Sequence, residues 1–125
     1  MKYVVDSYAW IEYFKESKEG IGFGKIIDDV ENEIFSSIIT IAEVCSVFKR
    51  ENRNPDMAYT SILDLSEIYF LNPELSKEAG IVHAEIRKKI KDFGLADAFI
   101  LLTARKLGAK ILTGDPHFKG LKKRF

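Results

Sequence analysis

Cys45 is the only cysteine among 125 residues, so the chain can form no disulfide within itself. A lone cysteine fits a reducing compartment rather than a stapled secreted scaffold. Long hydrophobic runs are absent as well. The longest uninterrupted apolar stretch, residues 98–102, falls far short of the roughly 20 residues a membrane helix needs, so no membrane association is expected. The N-terminus begins with a strand-like segment and carries no signal-peptide pattern. The expected location is the cytoplasm. Neither sign of charge is in excess: 19 basic residues meet 19 acidic ones. That balance argues against a protein that coats nucleic acid through bulk positive charge, yet it permits an acidic site offset by a basic rim. Repeats, low-complexity tracts and linkers are missing, and residues 1–125 read as a single domain long enough to bury its own core.

What is present is an alternation of short β-rich runs with helical patterns. Residues 3–5, 34–39, 68–71 and 110–113 read as strands. Residues 8–15, 41–50, 55–65, 76–90 and 95–107 read as helices, with Pro55 at a first helical position, Ser76 as a cap and Gly108 as a terminator. Strands alternating with helices imply parallel pairing through right-handed crossovers. The expected class is α/β, an open parallel sheet with helices on both faces, whose ligands bind beyond the carboxyl ends of the strands. Gly20, Gly22 and Gly24 break the helical pattern before it resumes over residues 25–30. They follow a helix rather than a strand, and no Gly-Lys-Ser/Thr follows them. A turn is expected there, not a phosphate cradle.

Four acids stand where this topology places ligands. Asp6 follows the first strand, Glu43 lies three residues beyond Thr40 near the end of the second, and Asp115 lies two residues beyond Thr113 at the end of the fourth. Asp97 sits near the start of the helix that leads into the fourth strand. Each has an ordinary structural explanation. Asp6 or Ser7 can cap the first helix, Thr40 and Glu43 match a T-x-x-E capping box, and Asp115-Pro116 matches a cap followed by a first-turn proline. Asp97 resists such an explanation best. Its helical neighbours Ile100, Leu101 and Ala104 place it on or beside an apolar stripe, with no Lys or Arg one turn away. A buried carboxylate needs a cation, a donor or neutralisation; a shared metal ion and an N-terminal backbone amide are both open. Four acids converging on one edge would raise one another's pKa, and a bound divalent cation relieves that. All-oxygen ligands suit Mg²⁺ or Mn²⁺ rather than Zn²⁺.

Four segments carry these acids in order. They are Val4-Val5-Asp6-Ser7-Tyr8-Ala9-Trp10-Ile11-Glu12, Ser37-Ile38-Ile39-Thr40-Ile41-Ala42-Glu43-Val44, Gly94-Leu95-Ala96-Asp97-Ala98-Phe99-Ile100 and Leu112-Thr113-Gly114-Asp115-Pro116-His117-Phe118. At these residues the sequence resembles the PIN-domain ribonucleases, in particular the VapC toxins of VapBC toxin–antitoxin pairs, along nearly the whole chain. The resemblance implies a Rossmann-like open parallel sheet of four to five strands with Mg²⁺ or Mn²⁺ held at its carboxyl edge. It implies Asp6, Glu43, Asp97 and Asp115 as the catalytic and metal-binding set, with Asp6 and Asp97 the most direct ligands. Ser7 and Thr113 match the family's small polar and hydroxyl residues beside the acids. The resemblance further implies RNA hydrolysis leaving a 3′-hydroxyl and a 5′-phosphate, a VapB-like antitoxin and a homodimer. Two departures stand out. Tyr8 replaces a small polar residue common in the family, and the chain ends at Phe125, where residues 121–125 are barely long enough for the family's fifth strand.

Other chemistry-bearing residues have plainer readings. His83 lies beside an apolar stripe and reads as packing, His117 as a surface residue, and Cys45 as core. Three basic patches are candidate phosphate contacts: Lys49 with Arg50 and Arg53, residues 87–91, and residues 119–124. The second reads better as a solvated helix end. The competing function classes are a catalytically silent interaction module of the same fold and a phosphotransfer fold with Asp6 as acceptor. The latter would want an Asp at position 8, where Tyr8 stands, or an acceptor after the third strand, where Leu71-Asn72-Pro73 stands.

Overall fold

The computed structural model describes residues 1–114. Strands β1 (Lys2–Val5), β2 (Glu33–Ser37), β3 (Glu67–Tyr69) and β4 (Lys110–Leu112) form one sheet in the order β3-β2-β1-β4. Every neighbouring pair is parallel. Parallel neighbours cannot be joined by a tight turn, so each link crosses over the sheet and fills with helix. Helices α1 (Ser7–Lys15) and α2 (Lys18–Ile27) join β1 to β2. Helices α3 (Ile38–Arg50) and α4 (Pro55–Leu65) join β2 to β3. Helices α5 (Pro73–Arg87) and α6 (Leu95–Leu107) join β3 to β4. The expected α/β class is what the chain forms. The expected fifth strand falls on residues outside those described.

Side chains that alternate along a strand serve opposite faces. Val4, Phe35 and Ile111 join a core with Leu75, Ala79 and Ile86 of α5 and the apolar length of α6. Their neighbours Val5, Ile34 and Leu112 join a second core with residues of α1, α2, α3 and α4, among them Trp10, Val44, Phe48 and Ile62. Helices therefore cover both faces. Residues 98–104 of α6 are all buried, as in a helix enclosed on every side. Its one hydroxyl there, on Thr103, is satisfied by the Phe99 carbonyl at 2.7 Å. The Trp10 indole donates to Ser36 Oγ at 2.9 Å, and Ser36 is hydrogen-bonded in turn to Ser66.

Three local expectations need correction. The glycine-rich stretch is not a turn. Gly20, Gly22 and Gly24 all lie inside α2, which Ser17 caps through the Gly20 N–H at 3.0 Å. A side chain at Gly20 would overlap the Glu12 carbonyl of α1, and one at Gly24 would meet the Tyr13 ring at 3.4 Å. Gly20 and Gly24 let two helices approach closely, whereas a side chain at Gly22 would meet nothing. The turn between them is made instead by Glu16, in the left-handed region at φ 54°. Second, residues 38 and 39 are helical, not strand. Ser37 both ends β2 and caps α3 through the Ile39 N–H, so strand passes to helix with no loop. Third, α5 starts at Pro73 behind an Asn72 cap, whose side chain accepts from Leu75 N–H at 2.8 Å. Ser76 lies inside the helix and donates to the Asn72 carbonyl.

The first crossover takes the chain from β1 to one side, while β4 returns to the other. The order of strands reverses at β1, and such a reversal opens a crevice at the carboxyl edge between the diverging connections. Asp6 ends β1 at that crevice, and its N–H donates to the Leu112 carbonyl of β4.

Candidate active site

Asp6 is 5% exposed. Its Oδ1 accepts from the Ala9 N–H at 2.9 Å, capping α1 in the ordinary way. Its Oδ2 accepts a short hydrogen bond from the Thr113 hydroxyl just beyond β4. The structural and functional readings of Asp6 are thus both available: one oxygen serves the helix, and the other faces the hydroxyl across the crevice.

Glu43 does not close a capping box. α3 is already capped at Ser37, and Thr40 lies in its first turn. Instead Glu43 Oε1 accepts from the Ser7 hydroxyl at 2.7 Å, tying α3 to the start of α1. Burial pushes the Glu43 carboxyl above its ordinary pKa; the Ser7 hydrogen bond pulls it back, and the charge of Asp97 raises it further. Glu43 and Asp97 therefore feel each other although 54 positions separate them in sequence. Asp97 has the second of the two partners left open for it. Its Oδ2 accepts from the Gly94 N–H at 2.8 Å at the start of α6. Thr40, one turn before Glu43, buries a hydroxyl that has no hydrogen-bond partner among the described residues.

The carboxyl edge thus gathers Asp6, Ser7, Glu43, Asp97 and Thr113. Asp115 and His117 lie outside the described residues, as does the third basic patch. No group of three or more His, Cys, Asp or Glu residues that could hold a metal ion assembles among the described residues. The donor chemistry nevertheless fits a hard cation. The groups are carboxylate oxygens, one of them 5% exposed and another held toward its neutral form by burial and a like charge.

A groove of about 540 Å³ runs from Ser7 and Glu43 between α1 and α3, past Ile11 and Val47, to Arg50. This separates the members of the first basic patch. Arg50 lines the groove, while Arg53 pairs with Glu51 at 3.3 Å and lies over the Phe48 ring. In the second patch Lys88 pairs with Glu85 on the surface of α5, as a solvated helix end would. His83 stacks on buried Phe93 at 6.5 Å between centroids, the packing role its stripe position suggests.

One pair at the edge was not foreseen. The Tyr8 hydroxyl donates to Glu19 Oε1 at 2.6 Å, bridging α1 and α2. That hydrogen bond, with burial and the charges of Glu19, Glu12 and Asp6, pushes the phenol up to about 12. Tyr8 is visible in sequence as an unusual residue; its partner is not, because Glu19 sits among glycines that suggest a turn.

Comparison with known proteins agrees with this architecture. The family model of the PIN domain matches residues 3–124. No curated protein matches the chain. Among solved structures, VapC20 of Mycobacterium tuberculosis, a sarcin-ricin loop cleaving toxin, superimposes with a TM-score of 0.73 at 15% identity, covering 90% of this chain and 91% of that one. VapBC2 from Rickettsia felis, bound to a DNA fragment from its promoter, gives 0.69 at 19% identity, with 98% and 92% covered. VapBC-1 from nontypeable Haemophilus influenzae gives 0.69 at 20% identity, with 98% and 94% covered. The chain belongs to the PIN domain family, with a VapC-like fold.

Proposed function

We propose that the chain is a metal-dependent endoribonuclease of the cytoplasm and the toxin of a VapBC-type toxin–antitoxin pair. One observation carries the reading: a buried Asp6 at the strand reversal shares the carboxyl edge with Glu43, whose carboxyl is raised by burial and by Asp97. Gathering like charges in this way costs stability, and a divalent cation offsets the cost. The likeness to a toxin that cleaves the sarcin-ricin loop supports RNA as substrate, and the likeness to two VapBC assemblies supports a VapB-like antitoxin as partner. Exposed Ile21, Phe70 and Ile81 offer apolar surface for that partner and for a homodimer.

Asp6, Glu43, Asp97 and Asp115 would hold Mg²⁺ or Mn²⁺, which when bound supplies Lewis-acid stabilisation and an activated water for phosphodiester hydrolysis. The chain's own donors fix the acids. Thr113 orients Asp6, Ser7 orients Glu43, and the Gly94 N–H orients Asp97. Arg50, at the far end of the groove, is placed to meet a phosphate of the bound strand. The silent-module reading has one observation in its favour: Asp6 and Asp97 both serve as ordinary acceptors at helix starts.

RNA from the native host, incubated with the pure protein, separates these readings. Cleavage that requires Mg²⁺ or Mn²⁺, yields 5′-phosphate ends and stops in EDTA is the expected result. Undiminished cleavage in EDTA would overturn the metal requirement. No cleavage under any metal condition would favour the silent module.

A further inference from the structure

Gly114 is the last described residue before Asp115, and its reason for being glycine is steric. Its backbone is not in the left-handed region; among the described glycines only Gly108 is. A Cβ built on Gly114 would overlap the ring edge of Tyr8 and would lie 2.8 Å from Glu19 Oε2. The two side chains that crowd this position are those joined by the 2.6 Å hydrogen bond. Phe23 of α2 meets the Tyr8 ring edge-on, with centroids 6.4 Å apart, and limits its swing. Tyr8 follows Asp6 by two positions, and Gly114 follows the Thr113 whose hydroxyl bonds Asp6.

We propose that Tyr8 is a positioning residue: with Glu19 it forms a clasp that holds the Thr113-Gly114 segment against Asp6, and Gly114 is bare so that the clasp can close. The inference rests on reading the carboxyl edge as the active site. It assigns a role to Tyr8, one of the two departures from the family pattern that the sequence resembles. Where a small residue stands at position 8, no ring occupies this space, and a side chain at 114 costs nothing on that account. Here a side chain at 114 forces the ring outward, breaks the bond to Glu19 and frees the hydroxyl that orients Asp6.

The test is a double-mutant cycle on the full chain, with Tyr8→Ser, Gly114→Ala and both together. Two quantities are read: the melting temperature, and the affinity for Mn²⁺ alone by calorimetry. Gly114→Ala should lower the melting temperature by about 3 °C, the shift expected for somewhat less than 1 kcal/mol in a domain of this size. It should also weaken Mn²⁺ binding roughly tenfold, the usual loss when a group that orients a ligand is disturbed. In the Tyr8→Ser background the same substitution should change neither quantity. Tyr8→Phe, which keeps the ring and loses the bond to Glu19, should fall between wild type and Tyr8→Ser in Mn²⁺ affinity. Equal effects of Gly114→Ala with and without Tyr8 would overturn the clasp. A melting-temperature coupling without any change in Mn²⁺ affinity would overturn the positioning role and leave only packing. Wild-type protein that binds no Mn²⁺ would contradict the proposed function itself, a result distinct from both.

Discussion

Glu43 and Thr113 flank Asp6 on opposite sides, and the molecule holds them by different means. On the Glu43 side the strand runs straight into helix: β2 becomes α3 at Ser37 with no intervening loop, and a half-buried carboxylate is tied to Ser7 at 2.7 Å. On the Thr113 side the chain leaves β4 as irregular backbone, and it is held from outside by an exposed tyrosine bonded to an exposed glutamate. The first arrangement sets the proton affinity of an acid through burial. The second sets the aim of an acid through a hydroxyl. Replacing the acid on the first flank should therefore change charge and pH-dependent stability together, whereas removing the Thr113 hydroxyl on the second should change activity with little change in stability.

The largest effect belongs to the residue both flanks share. Asp6→Asn should lower RNA cleavage by roughly 10²–10³-fold, the scale seen when one preorganised electrostatic group is lost. The melting temperature should hardly move, because asparagine caps a helix nearly as well as aspartate. Circular dichroism melts beside a cleavage assay check both parts. A variant as active as wild type would remove Asp6 from the chemistry and leave it a cap.

Glu43→Gln comes next and should separate activity from stability. Cleavage should fall on the order of 10²-fold. The sign of the stability change follows from linkage. The folded state raises the pKa of Glu43, so it binds that proton more tightly than the unfolded chain does. On this group's account stability is greatest below the ordinary carboxylate value and declines as pH rises through the window between that value and the raised one. Above the window the ionised group is a liability that glutamine lacks. Without metal the variant should melt higher at neutral pH, and the difference should shrink as pH falls through the window. A lower melting temperature at neutral pH would contradict the role given to burial.

Thr113→Val tests the other flank with a smaller effect. It removes the hydroxyl and keeps the shape, so cleavage should fall roughly tenfold. If valine raised the melting temperature at neutral pH as glutamine at 43 does, the two flanks would not differ as described.

Gly20→Ala is the control that should leave the chemistry alone. A side chain there overlaps the Glu12 carbonyl across the α1–α2 contact, and overpacking of this kind costs about 1–3 kcal/mol. Cleavage per folded molecule should match wild type. Denaturant melts and an assay normalised to folded protein decide it.

These contrasts also mark how far the sequence carries. The helix over residues 95–107 with its Gly108 terminator, Pro55 at the head of α4 and the α/β alternation were all legible, because each depends on a local pattern. Residues 38 and 39 misled because two isoleucines favour strand, while the Ser37 cap and the packing of α3 decide otherwise. Gly20 and Gly24 of α2 misled because their cause lies on another helix: close approaches to Glu12 and Tyr13 leave no periodic trace. In the candidate site Asp6 and Glu43 could be named from the strand ends they follow, and Asp97 from the apolar stripe beside it. Their partners could not. Ser7 bonds Glu43 across 36 positions and Thr113 bonds Asp6 across 107, and such pairings are set by sheet order rather than by spacing. For Asp97 the sequence left both a cation and a backbone amide open; the amide of Gly94 is present, and it leaves the carboxylate near enough to Glu43 to raise it.

The central claim is that the carboxyl edge holds a divalent cation through acids that also serve the fold. The most direct measurement is a calorimetric titration of wild type and Asp97→Asn with Mn²⁺ at neutral pH, each variant first shown to be folded. Asparagine can still accept from the Gly94 N–H, so the start of α6 survives while one negative charge leaves. The account predicts saturable binding by wild type and a loss of at least about tenfold in the variant. Equal affinity in the two proteins would contradict it.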